Sequence, residues 1–246
     1  MKILFSPSEA KKNLQINIPI DKNSFIFPKL YEKRLEVLKI YDEFVKNASI
    51  DELKKLFGLK KIEDIEVLRE SIFEKKTAKA IELYSGVAFD YLQYNSLDEK
   101  TQEYIDKNTI IFSNLFGSIS ASDLIPYYKL KQGEKIDSFD TASFYKNSFK
   151  EELNSFLKDE TIVDLRASYY DKFYKVENEY LTFKFLKNGK SVSHYAKAYR
   201  GLMLREIALN QAKSRDDILN INFENLKFLE IKRVKTKEEF IFEITN

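Results

Sequence analysis

Apolar residues recur at helical spacing from about position 30 to about position 80, with Leu35, Leu38, Tyr41 and Val45 in one stripe and Leu53, Leu56 and Leu59 in another. A period near 3.6 places each stripe on one face, so the first third of the chain is predicted to be mainly helix. Ahead of it, positions 3–5 read as a short buried strand that stops at Ser6-Pro7-Ser8, and a polar loop carrying Pro19 and Pro28 follows. The pattern then changes. Thr109–Ser113, 161–166 and 180–186 are short runs rich in β-branched and aromatic residues, the composition of strands. Helical patterns over Thr141–Leu157 and 196–212 separate them. Asn188-Gly189 lies between two such runs and suits a type I′ hairpin turn, whose two central residues both need positive φ. Leu226–Val234 with 240–244 reads as a closing hairpin. The expected fold is mixed α/β (α+β), a single domain over 1–246 with a central mixed sheet flanked by helices and a helical N-terminal third. No linker or repeat divides the chain.

Composition narrows the chemistry. The 246 residues are 43% hydrophobic, enough for a sizeable core. Against 41 basic side chains stand 39 acidic ones, a formal net charge of only +2, so any polyanion must be held by a local patch rather than by the field of the whole molecule. Cysteine is absent, which excludes disulfides, thiol peroxide reduction and Cys-ligated clusters. With His194 as the single histidine, multi-His metal sites are excluded too. Carboxylate groups such as Asp42, Glu43, Asp98 and Glu99 could in principle hold iron, but their spacing suits solvated helix faces, and no metal or cofactor is expected. The apolar run at the amino terminus is too short for a signal peptide and no stretch approaches ~20 apolar residues, so a cytoplasmic protein without a membrane partner is expected.

The stretch HYAKAYRGLMLR, from His194 to Arg205, carries the densest candidate chemistry. Read as a helix from about Ala196, it places Lys197, Arg200, Gly201 and Arg205 on one side, an anion-binding face. A glycine within a helix costs about 1 kcal/mol relative to alanine, so Gly201 implies close approach of a backbone or a ligand. Simple helix packing at Gly201 accounts for the same pattern. A second basic group, Lys54, Lys55, Lys60 and Lys61, flanks Gly58 in a helix–turn–helix pattern. A helix-hairpin-helix would turn backbone N–H groups there toward a nucleic-acid phosphate. The second glycine usual in such a turn is missing, and an ordinary helical hairpin with solvated lysines fits these residues more readily. A Gly117-containing loop after a buried strand, with Asp123, Tyr128, His194 and Tyr195, forms a possible pocket, although a strand followed by a short helix capped at Ser122 or Asp123 explains the loop as well. No nucleophile adjoins His194, and no catalytic set is complete. The 15 Tyr and 20 Phe could stack on bases, but most belong in a core.

These blocks together resemble the bacterial peroxide-stress family typified by YaaA. The resemblance runs through SPSEAKK (Ser6, Pro7, Lys11), AIELYSGVAFDYL (Tyr84, Gly86, Phe89), SNLFGSISASDLIPYYKLKQG (Gly117, Asp123, Tyr128, Leu130, Gly133) and, most specifically, YAKAYRGLMLR (Tyr195, Lys197, Arg200, Gly201, Met203, Arg205). The chain departs from the family at Ser120-Ala121, where Arg-Pro is usual, and at ASYYDK, where a carboxylate-containing segment is usual. The resemblance implies a cytoplasmic protein that limits peroxide damage, is linked to keeping unincorporated iron low, and binds DNA through a helix-hairpin-helix and a positively charged cleft.

The leading expectation is therefore a non-catalytic protein that binds DNA without sequence specificity, chiefly through Lys197, Arg200 and Arg205, with the Gly58 lysines as a second patch. The rival is an enzyme acting on a phosphorylated or nucleotide-like substrate, with Lys197 and Arg200 clamping phosphate and Asp123 or His194 moving protons. The rival requires a concave pocket rather than an open stripe.

Overall fold

The computed structural model describes residues 1–14, 18–61, 65 and 68–245, apart from the side chains of Ser193 and His194. Ile3, Leu4 and Phe5 are buried on both faces of strand β1 (Lys2–Phe5), as an unbroken apolar run requires of an interior parallel strand. β1 pairs in parallel with β3 (Thr109–Ser113) on one side and with β6 (Ile162–Asp164) on the other. Beyond β6 the parallel set continues through β7 (Tyr180–Lys187) to β10 (Lys237–Ile244). Both edges are antiparallel: β4 (Gly117–Ser120) returns along β3, and β9 (Leu226–Val234) runs back along β10. The order is β4-β3-β1-β6-β7-β10-β9, and β8 (Lys190–Ser191) pairs with the far end of β7. The turn between β7 and β8 has positive φ at Asn188 and Gly189, as the hairpin reading expects. A separate ribbon joins β2 (Thr77–Lys79) to β5 (Leu124–Pro126).

Helices α1 (Tyr31–Asn47) and α2 (Ile50–Phe57) fill the first third, the latter started by a capping box between Ser49 and Glu52. Short helices α3 (Ala80–Leu83) and α4 (Val87–Leu92) and the longer α5 (Glu99–Asn108) precede β3, while α6 (Thr141–Leu157) connects the β4–β5 region to β6. Helix α7 (Ser193–Leu209) and the short α8 (Arg215–Leu219) lie between β8 and β9. One continuous apolar cluster runs from Ile3 to Ile244. Among the described residues no helix is long and apolar enough to cross a membrane.

Three expectations need correction. The buried stripe of α1 contains Leu38, Tyr41 and Val45, but its first position is Arg34, while Leu35 stays half-exposed. A short helix capped at Ser122 or Asp123 does not form: the chain turns from β4 into β5, and the Asp123 carboxylate accepts the N–H groups of Ile26 (3.1 Å) and Ser120 (3.1 Å). Helix α7 begins at Ser193 rather than near Ala196, which moves Lys197 out of the first turn and away from the positive end of the helix dipole.

Arg34 is fully buried and donates from Nε to Phe116 O (3.1 Å), from Nη1 to Phe27 O (3.0 Å) and from Nη2 to Ser118 O (2.7 Å). Its guanidinium lies between the rings of Phe25 (4.7 Å) and Phe149 (4.8 Å). These contacts satisfy backbone acceptors of the β3–β4 turn, of β4 and of the segment before α1, which an apolar side chain in the same place would leave unpaired. We expect Arg34→Ala to lower unfolding free energy by roughly 3–5 kcal/mol, read as a shift in urea midpoint.

Burial raises the Asp123 carboxyl to about 7, against the lowering effect of its two N–H partners and of Arg34. The folded chain therefore binds this proton more tightly than the unfolded one, and stability falls as pH rises from the ordinary carboxylate range through about 7. Thermal midpoints taken at pH 5 and pH 8 should differ more for the wild-type chain than for Asp123→Asn. An equal difference in the two proteins would contradict this assignment.

Candidate functional site

The strands adjoining at the middle of the sheet send their chains in opposite directions: β1 leads toward β3 on one side, and β6 leads to β7 on the other. In a parallel sheet such a divergence opens a crevice at the carboxyl ends of the strands. Here a cleft of ≈ 400 Å³ is lined by residues 5–10 after β1, by Leu165, Ala167 and Tyr170 after β6, by residues 86–89, by Gln132, and by Lys197 and Arg200.

Each wall is fixed by named contacts. Ser6 Oγ accepts the Ala167 N–H (2.8 Å), which joins the two strand-end loops. Backbone bonds from Ser85 N to Ala10 O (3.1 Å) and from Lys12 N to Leu83 O (2.8 Å) strap the first loop to the segment before α4. Glu9 Oε1 accepts the Gln132 N–H (2.9 Å). Gly86 has φ +100°, and a Cβ there would lie 3.2 Å from Ser8 Oγ. The second loop is organised by Arg166, which grips Asp164 with Nε and Nη2 (both 2.8 Å), donates to Tyr174 O (2.9 Å) and lies 4.3 Å from the Phe112 ring centre.

Helix α7 reaches the cleft because it packs against α4 at closest range. A Cβ on Gly201 would overlap the Ala88 carbonyl oxygen and lie 2.8 Å from the carbonyl carbon. The close approach expected at Gly201 is thus that of a helix backbone. Arg205 is engaged in the same contact, donating to Leu92 O (3.0 Å), Gln93 O (3.4 Å) and Ser96 Oγ (3.2 Å) at the carboxyl end of α4. Lys197 and Arg200, one turn earlier, differ. Lys197 is exposed and Arg200 half-buried, and neither makes a hydrogen bond or ion pair among the described residues. Burial pulls the Arg200 guanidinium below its usual range, and the nearby charge of Asp164, already held by Arg166, opposes that shift.

The remaining expected residues lie elsewhere. Gly117 opens β4, where a Cβ would meet the Tyr145 ring at 2.6 Å, and Asp123 is buried and accepts the Ile26 N–H. Tyr128 is buried, its hydroxyl bonded to those of Tyr84 (2.9 Å) and Ser113 (2.7 Å). Tyr195 is exposed, with the Lys187 ammonium 5.3 Å from its ring centre. These four do not line the cleft, and the side chain of His194 lies outside the described residues.

At the second basic group, Gly58 ends α2 in the left-handed conformation, and its N–H and that of Leu59 donate to carbonyls of the last turn. Lys54 pairs with Asp51 (3.4 Å) and Lys55 with Glu134 (4.0 Å), while Lys60 and Lys61 are exposed. Residues 62–64 and 66–67, where the second arm of a helix-hairpin-helix falls, lie outside the described residues.

A larger open groove of ≈ 520 Å³ beside α4 is lined by Lys12, Glu82, Asp90 and Gln93, among others. It holds two carboxylates and one lysine, whereas the cleft holds Glu9, bonded to Gln132, beside two cations without partners among the described residues. Not singled out as site residues in the sequence were Ser6, Glu9, Gln132 and Tyr170, although Ser6 and Glu9 lie in SPSEAKK and Gln132 in the block ending YKLKQG, both of which carry the resemblance, and Tyr170 lies in ASYYDK, where the chain departs from it.

The sequence model of peroxide stress protein YaaA matches residues 1–232. The chain is 48% identical over 244 residues to an uncharacterized protein of Campylobacter jejuni, covering 99% of each. It is 29% identical over 254 residues to a UPF0246 protein of Fusobacterium nucleatum, with 98% of each covered, and 29% identical over 256 residues to one of Lactobacillus helveticus, covering 98% of this chain and 96% of the relative.

Helix propensity alone makes Gly201→Ala stabilising by about 1 kcal/mol. The contact with Ala88 reverses the sign: we expect a loss of roughly 1–3 kcal/mol, measured by chemical denaturation.

Proposed function

The chain belongs to the peroxide stress protein YaaA family, and from that premise we propose that it protects DNA in the cytoplasm by holding it at the Lys197/Arg200 cleft. The observation that carries this reading is the pair of cations, without hydrogen-bond or ion-pair partners among the described residues, beside a cleft at a strand-order divergence. A phosphate supplies what both side chains lack: a charge-assisted acceptor, bidentate for the guanidinium. Contact with backbone phosphate carries no sequence information, so binding is non-specific in sequence and steep in salt. Shielding DNA where iron-generated radicals form would link this binding to peroxide stress and to low unincorporated iron. Lys60 and Lys61 extend the contact as the Gly58 patch. Arg205 contributes by holding α7 on α4.

A second reading is favoured by the concavity of the site. A concave space of ≈ 400 Å³ with a half-buried arginine suits one phosphorylated or nucleotide-like molecule as an enzyme substrate.

Binding of labelled DNA across a salt series separates the readings. We expect Lys197→Ala/Arg200→Ala to lose about tenfold or more in affinity at low salt and to reduce the slope of log K against log salt by about 1–2, one to two phosphate contacts. Unchanged affinity and slope would overturn the DNA reading. Saturable binding of a mononucleotide that the double variant loses, without DNA binding, would establish the second.

A further inference from the structure

Lys11 lies in an unusual setting for an amine. Its side chain folds back beneath the loop after β1, donating to Ser8 O (3.1 Å) and Glu9 O (3.4 Å). The ammonium lies 4.0 Å from the ring centre of Tyr128 and 5.0 Å from that of Tyr84. Neither phenol supplies a counter-charge: burial raises both, Tyr128 to about 12, and their hydroxyls are bonded to each other. Among the described residues no carboxylate pairs with Lys11. The charges that reach it are Lys129, which repels, and Glu9, which attracts but whose Oε1 accepts the Gln132 N–H.

This is a poor place for an ammonium and a good one for an amine. Ring faces and two carbonyls return only part of the lost hydration, since a cation over an aromatic face is worth about 0.5–2 kcal/mol. Burial first, and Lys129 second, bring Lys11 down to about 7. The residue nevertheless keeps part of its surface in solvent, and the two carbonyls it bonds belong to residues lining the cleft.

We propose that Lys11 is a reactive-amine site that condenses with small aldehydes or ketones. Its nitrogen lone pair attacks the carbonyl carbon; a C–N bond forms, the C–O bonds break, and the carbonyl oxygen leaves as water with the two hydrogens of the amine. The product is an imine on Nζ, and no oxidant or reductant is consumed. A desolvated lysine without a carboxylate partner is the arrangement such chemistry uses. The proposal stands on the Lys11 surroundings and does not depend on DNA binding.

The full-length protein is treated with formaldehyde and cyanoborohydride, which reduces each imine to a methylated amine, and labelling of every lysine is followed by peptide mass spectrometry from pH 6 to pH 9. We expect Lys11 to label at least about tenfold faster at pH 7 than the exposed Lys60 and Lys61, with a rate that levels off above neutrality, because exposed lysines are almost wholly protonated there. Lys11→Met, which keeps a stem of similar length without the charge, should remove this fast site while leaving the labelling rates of the other lysines near those of the wild-type chain. Labelling of Lys11 at or below the rate of Lys60 and Lys61 overturns the proposal. So does a fast rate that continues to rise across the pH range in parallel with the exposed lysines.

Discussion

The carbonyl oxygen of Ala88 against the Cα of Gly201 is the contact on which the site depends. It sets the distance between α4 and α7, and every side chain on α7 is placed by it. With any larger residue at position 201 the helices would separate, and Lys197 and Arg200 would withdraw from the loops after β1 and β6. Arg205 secures the same junction by satisfying carbonyls where α4 ends. Packing and electrostatics are thus arranged in series along one helix. A backbone contact in the middle and a capping arginine at one end fix the cations at the other.

The arginines of this chain show two uses of one side chain. Arg34 and Arg166 are buried and satisfied by backbone carbonyls, in the second case with a carboxylate as well, so each acts as a cross-link between segments that cannot pair directly. The planar guanidinium, with several fixed donors and an apolar face, suits that role better than an ammonium would. Arg200 is half-buried and makes no such bonds among the described residues. Removing a guanidinium from water without supplying acceptors raises the free energy of the protein, which is the physical ground for the anion proposed at the cleft. The asymmetry between Arg166 and Arg200, both near Asp164, is that the first is held by a carboxylate and two carbonyls while the second has no such partner among the described residues.

Much of the fold was legible in the sequence because burial and period report the same thing. An unbroken apolar run at 3–5, helical spacing through Leu38, Tyr41 and Val45, and Asn188-Gly189 each have one good structural solution. The failures are also physical. Arg34 occupies a core position that pattern reading gives to Leu35, since no period reveals that three carbonyls converge there. Asp123 reads as a helix cap because aspartate beside serine usually is one, yet its acceptors serve a segment nearly a hundred positions away. For the site, the cations of α7 were visible as a cluster, but the sequence did not say where the neighbouring helix lies. Arg200 and Arg205 are five residues, about 140°, apart around the helix, and the position of α4 makes Arg205 structural and leaves Arg200 without a partner among the described residues. Ser6 and Gln132 enter through topology, which no local pattern carries.

The near balance of 41 basic and 39 acidic residues sets the range over which the cleft can act. A molecule of net charge +2 exerts little long-range pull on DNA, and at physiological ionic strength the field of two cations fades within about 8 Å. Recognition must then occur by contact, after encounter, with the enclosed walls of the cleft strengthening interactions that solvent would otherwise screen. In the proposed DNA reading, the phosphate held is one that the nucleic-acid backbone presents at the mouth of the cleft. Its selectivity follows from the shape of the loops after β1 and β6 as much as from the charges of Lys197 and Arg200.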